Sequence, residues 1–435
     1  MLCMLTTVAF TREYYVSPSG EGDFTTIQEA VDRLRPGDTL YIKAGRYHER
    51  VYMEKKRATQ AKPIVIRNYR HDRVIIDGTG IDWEGTWGGL FELFASSHIV
   101  LSGLKIEHST HAGIFLDNSH YITVRNFSTD DTFSSGIGVW ECDHISIRNN
   151  EVKLACNDGE QECITIATSH HVDVTGNEVH HSGPGTNGGE GIDVKQGSHD
   201  VRVRYNHVHH IRGTTRPGLY ADASDLHTHH ILFEANRIHD ITGNALSVAS
   251  EQGGRLEHVI FVNNIVYNNG DGGLIVGGWT ADENITSHPV EHIYIINNTF
   301  YNVGSTGIYI HHEGAKDIKI YNNIIRSTNR KEVSIALKEG VDVSEVDIRS
   351  NLVDSEPYDY GQKNDIVADP RFVDEAHTDF HLQPDSPAID AGIRNGYSRL
   401  DYEKKSRPQG RTWDIGAYEA GYENAALVPA LYLLL

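Results

Sequence analysis

Short phrases of alternating apolar and polar residues recur along most of this chain. From about residue 97 onward IRNNEV, VTGNEV, VRYNHV, FEANRI, FVNNIV, IINNTF, IYNNII and IRSNLV follow one another. Aligned, they set an asparagine in one slot eight times, at Asn150, Asn177, Asn206, Asn236, Asn264, Asn298, Asn323 and Asn351, with spacings of 25 to 34 residues. That is the period of a solenoid coil. A second phrase alternates with the first: GIFLDN, GIGVWE, CITIAT, GIDVKQ, GLYADA, ALSVAS, GLIVGG and GIYIHH. Period-2 alternation rich in β-branched residues predicts short strands with one buried face, and helical periodicity is absent between them. Each coil then supplies two or three strands joined at tight polar turns. Asparagines stacked at a corner satisfy one another's amides, and asparagine tolerates left-handed backbone there. The pattern predicts an all-β fold, a right-handed parallel β-helix.

The two ends break the repeat. TTIQEAVDRL predicts a short amphipathic helix over residues 25–34 that covers the open end of the solenoid. DPRFVDEAHTDFHLQPDSPAIDAG and DIGAYE predict an irregular cap at the other end. The expected organisation is one continuous domain: an N-terminal cap and first coils over 1–96, central coils carrying a groove over 97–355, and a C-terminal cap and tail over 356–435. MLCMLTTVAF reads as an irregular leader, and AALVPALYLLL is shorter than the roughly 20 residues of a membrane-spanning helix.

Charge narrows the partners. A net charge of −21 over 435 residues argues against nucleic acid, which needs a Lys/Arg surface. A polyanionic ligand would need a local basic pocket or a bridging cation, whereas a neutral glycan needs neither. The four cysteines lack zinc-site spacing and read as unpaired or partly buried thiols. Histidine pairs at 170–171, 180–181, 209–210, 229–230 and 311–312 fall mostly at coil corners without a shared ligand spacing, and read as turn residues.

Stacking the coils maps the surface, because aligned residues of parallel strands lie about 4.8 Å apart. The first outward column is Phe115, Gly138, Thr165, Asp193, Tyr220, Ser247, Ile275 and Tyr309; the second is Asp117, Trp140, Ala167, Lys195, Asp222, Ala249, Gly277 and His311. Functional side chains amid small neighbours describe a groove, with Trp140 at one end and Tyr309 and His311 towards the other as substrate-binding candidates. Glu162 and Glu190 occupy the same slot on adjacent coils, so they converge with Asp193 and Asp222. Such oxygen-rich clustering suits Ca²⁺, with Glu162, Glu190 and Asp193 as its ligands. The alternative is a solvated acidic wall neutralised by Lys195. In GTTRPGLY, Arg212 and Arg216 either clamp a substrate carboxylate or belong to a solvated loop.

With the coil repeat and GEGIDVK in view, the chain resembles the pectate-lyase-type β-helix superfamily over nearly its whole length, and polysaccharide lyase family 9 most in its chemistry. That family binds Ca²⁺ through a DDGxD pattern and an acid one coil earlier. Glu190 and Asp193 match its second and last acids, Gly189 stands in place of the first, and Glu162 matches the earlier one. The family's base is a lysine on a neighbouring strand; the corresponding slot holds Tyr220, while Lys195 follows Asp193 by two residues. The resemblance implies a secreted, calcium-assisted enzyme that cleaves a uronic-acid polysaccharide by β-elimination, with Lys195 or Tyr220 taking the proton and Arg216 neutralising the carboxylate. A glycoside hydrolase using carboxylates chosen from Glu190, Asp193 and Asp222, or a non-catalytic glycan-binding wall, are the other readings.

Overall fold

The computed structural model describes residues 11–85, 87–157, 160–183, 187–213, 215–279, 288–326, 334–354 and 364–421. The leader, the C-terminal tail, Cys3 and part of the 181–190 loop lie outside them. The chain falls into two compact units, Met1–Ile192 and Asp193–Leu435.

Both units are built from the predicted coil. Its strands pair in parallel into three sheets, each strand with the equivalent strand of the next coil. In the first unit, Phe115 pairs with Gly138 and Gly138 with Thr165, while Asp117 pairs with Trp140 and Trp140 with Ala167. In the second, Tyr220, Ser247, Ile275 and Tyr309 share one register. These are the columns expected from the sequence. The inward neighbours Ile114, Ile137, Ile164, Leu219, Leu246, Leu274 and Ile308 are fully buried and stack into the core, each worth about 1.5 to 3 kcal/mol of apolar transfer.

The asparagine ladder is present, with one correction. In the first unit Asn150 Nδ2 donates to Asn177 Oδ1 at 2.9 Å. In the second, Asn206, Asn236, Asn264, Asn298, Asn323 and Asn351 donate in succession, and Asn351 donates to Asp365. The ladder asparagines do not take the left-handed conformation themselves; the residue before each one does: Asn149, Gly176, Tyr205, Ala235, Asn263, Asn297, Asn322 and Ser350. Turning the chain and satisfying the buried amides are tasks of adjacent positions.

The predicted helix spans Ile27–Arg33, capped by the Thr26 hydroxyl and burying Ile27, Ala30 and Val31. In the second unit the irregular C-terminal segment packs along the flank of the coils, where Asn263, Asn297 and Asn322 donate to the carbonyls of Leu400, Asp414 and Ile393. Cys142, Cys156 and Cys163 are free and buried, as expected. Among the described residues no helix is long and apolar enough to cross a membrane.

Candidate functional site

In the second unit the strand ending at Lys195 neighbours Leu219–Asp222, which pairs with Leu246–Glu251. Alternation turns Asp193, Tyr220 and Asp222 away from the core. The column is nevertheless withdrawn from solvent: Asp193 is 1 % exposed and Asp222 4 %. Tyr220 donates its hydroxyl to the Glu251 carboxylate. Burial, then the charges of Asp222 and Glu251, the bond to Glu251 and the charge of Asp193 hold the Tyr220 phenol well above its ordinary pKa. It stays protonated throughout the neutral range. Asp222 accepts from the Ser224 backbone N–H at 2.9 Å, and Lys195 is half-buried, its carbonyl taken by Ser198.

Glu251 is absent from the sequence-derived set. Its strand runs two residues past the position of Asp222, and the next outward residue after Ser247 and Ala249 is this glutamate. Extending the alignment by one pair of residues would have found it.

Arg216 is half-buried, in a turn closed by its N–H to the Gly213 carbonyl at 3.3 Å. Tyr309 and His311 lie together, ring centroids 5.3 Å apart; burial, then the charge of Lys338, lowers the His311 pKa.

In the first unit Glu162 is 6 % exposed, and its carboxylate accepts from Thr165 Oγ1 at 2.8 Å. Glu190 is half-buried on the following turn, its carbonyl accepting from the Cys163 N–H. Trp140 belongs to a cleft of about 660 Å³ that also presents Trp87, Phe115, Phe133, Asp82 and Glu160. Trp87 stands edge-on to Trp140 with centroids 4.6 Å apart, and both Trp87 and Phe133 are strongly exposed. Beside it, Trp83 stacks on His111 at 3.9 Å and carries the Arg50 guanidinium on its ring, while Glu92 pairs that guanidinium at 2.5 Å. The loop DWEGTW, which the repeat does not contain, supplies these tryptophans. Its interruption of the coil period was the available signal.

The sequence pattern described as "Right handed beta helix region" matches residues 59–208 and again 173–288, more than half of the chain. The chain belongs to that β-helix family. Its likeness extends to the "Uncharacterized protein YwoF" of Bacillus subtilis (strain 168), 27 % identical, with 86 % of this chain and 91 % of that one covered. Among solved structures, pectate lyase Pel9A has a TM-score of 0.56 at 15 % identity, covering 95 % of this β-helix and 98 % of Pel9A. The Azotobacter vinelandii mannuronan C-5 epimerase AlgE4 A-module has a TM-score of 0.55 at 14 % identity, covering 79 % of this chain and 93 % of the module. The Thermotoga maritima exopolygalacturonase has one of 0.54 at 11 % identity, covering 78 % and 86 %. At these identities the likeness is one of fold, the pectate-lyase-like parallel β-helix.

Proposed function

We propose that this β-helix is a carbohydrate-active enzyme that cleaves a uronic-acid-containing polysaccharide by β-elimination. The supporting observation is Tyr220, a neutral phenol among Asp193, Asp222 and Glu251 beside the strand that ends in Lys195. The pectate lyase among the structures of like fold lends the substrate class by analogy.

The residues divide the proton work as follows. The Lys195 amine takes the proton from C5 of the uronate; the C5–H electron pair forms the C4=C5 double bond as C4–O4 breaks. The departing oxygen receives the proton of Tyr220. We assign donation to this phenol, which its raised pKa keeps protonated, and abstraction to Lys195. Glu251 positions the hydroxyl, and Arg216 neutralises the substrate carboxylate. In the first unit Trp140, and in the second Tyr309 and His311, each offer ring faces or edges to a sugar unit.

Calcium suits carboxylate donors. Glu162 and Asp193 are nearly buried carboxylates in a chain of net charge −21, and hard oxygen donors of this kind suit a divalent cation. Glu162 and Glu190 would offer its ligands in the first unit, and when bound it would offset the charge of the uronate carboxylate. Secretion accords with a polymeric substrate.

A second reading, hydrolysis by paired carboxylates, draws on Asp222 and Glu251, which adjacent strands carry. Absorbance near 235 nm across a panel of uronate and neutral glycans, with Ca²⁺ or with EGTA, tests both. A rise on a uronate polymer that EGTA abolishes supports elimination. New reducing ends without absorbance replace it with hydrolysis, and silence in both assays across the panel leaves a binding wall.

A further inference from the structure

The histidines read from sequence as turn residues behave otherwise in the structure. In the first unit His98, Tyr121, His144 and His171 each hold the second position of a strand of one sheet, each with left-handed φ. This places their rings in a stack, with centroids 4.6, 4.4 and 4.6 Å apart and planes within 28°. The stack passes Asp143. Its Oδ1 lies 2.7 Å from His144 Nδ1, 3.0 Å from His171 Nδ1 and 3.3 Å from His170 Nε2. Asp143 and His170 are register partners on adjacent coils, so the arrangement is fixed by backbone pairing.

Three imidazole nitrogens around one carboxylate oxygen form an unusual ion-pair cluster. Protonating all three rings would crowd three positive charges about a single negative one. A metal ion removes that difficulty, since it binds the neutral rings and the ionised carboxylate together. The dimensions agree. With metal–ligand bonds of about 2.0 to 2.2 Å, the corners of a tetrahedron stand about 3.4 Å apart. The Asp143 distances to His144 and His171 lie within about 0.7 Å of that edge, and partly exposed side chains can open by that amount. Asp143, His144 and His171 each offer a ligand atom within 4.8 Å of the others.

We propose that Asp143, His144 and His171 form a binding site for a divalent transition ion of the zinc type. Two imidazoles and one carboxylate select zinc, copper or nickel over calcium, whose ligands are oxygens. The site joins the strand Asp143–Arg148 to His170–Thr175, so the ion acts as a clip between successive coils. It stands independently of the glycan chemistry. The sequence signal is DH at 143–144 and HH at 170–171, one coil apart, where pairs taken singly have no ligand spacing.

The test uses the full, tag-free chain stripped of metal and titrated with Zn²⁺ in a calorimeter, beside His144→Ala/His171→Ala and, separately, Asp143→Ala. With 26 histidines in the chain, total uptake is less informative than the difference between proteins. The expected result is one high-affinity zinc fewer per chain in the double variant, at least a tenfold weaker step in Asp143→Ala, and a zinc-dependent rise in Tm seen only in the parent. Millimolar Ca²⁺ should leave the zinc isotherm unchanged. Equal stoichiometry and affinity in parent and folded variants would overturn the site, as would a parent that takes up no zinc. Should the double variant misfold, the Asp143→Ala isotherm decides alone.

Discussion

Tyr220 donates its hydroxyl to the carboxylate of Glu251, a residue on the adjacent strand and four positions beyond the register partner of Tyr220, Ser247. Three carboxylates act together on this phenol, so it remains a proton donor at neutral pH. If Tyr220 protonates the leaving oxygen, Tyr220→Phe should lower kcat by about 100-fold or more with an unchanged circular dichroism spectrum. Glu251→Gln removes one of the charges that raise the phenol pKa, so its alkaline loss of activity should begin at lower pH than in the parent. An unaltered kcat in Tyr220→Phe would remove the residue from the chemistry.

The cleft at Trp140 presents Trp87 and Phe133 to solvent beside Asp82 and Glu160, and its described lining contains no Lys or Arg. Such a surface favours the apolar face of an uncharged sugar ring. Trp140→Ala is expected to raise KM for a glycan substrate about tenfold, near 1.4 kcal/mol, while leaving kcat close to the parent value. A fall in kcat at constant KM would place Trp140 in the reaction rather than in binding.

Asn264 holds four ladder bonds: its Nδ2 donates to the Phe233 carbonyl and Asn298 Oδ1, and its Oδ1 accepts from Asn236 N–H and Nδ2. It is fully buried. Asn264→Ala leaves those partners without replacement, and the expected loss is about 3 kcal/mol, read as a lower urea midpoint. Asn264→Asp, which restores the acceptor but loses the donors, should fall between the two. Identical midpoints for alanine and parent would mean that the ladder is ornamental to stability.

Asp365 ends the ladder, accepting from the Asn351 N–H at 2.8 Å and from its side chain. Burial pushes its pKa from the ordinary 3.8 up to about 6, against the lowering effect of the Asn351 bonds. The folded state therefore binds a proton more tightly than the unfolded chain. The resulting stability is complete below the unfolded value and is lost as pH rises from about 4 to 6. Asp365→Asn carries no such proton, so the parent should lose stability relative to this variant across that window. Urea midpoints at pH 4 and pH 7 check the sign: a parent-minus-variant difference that is the same at both would refute it.

Repeating local chemistry was legible from the sequence. The asparagine spacing, the inward Ile/Leu positions and the registers of Tyr220, Ser247, Ile275 and Tyr309 follow from period-2 alternation on a repeating coil, because each parallel strand must meet its equivalent in the next. The same alternation pointed Asp193 and Asp222 away from the core. What alternation cannot express is how much each coil deviates from its neighbours. The longer strand that carries Glu251, the loop that gathers Trp83 and Trp87, and the near-complete burial of Asp193 arise where the chain departs from the repeat. His144 and His171 depend on a left-handed residue at the second position of each strand, which directs consecutive rings into one stack above Asp143. Sequence determined the coil and its columns through short-range periodicity. Tertiary structure decided which side chains meet, since that depends on contacts between residues a full coil apart.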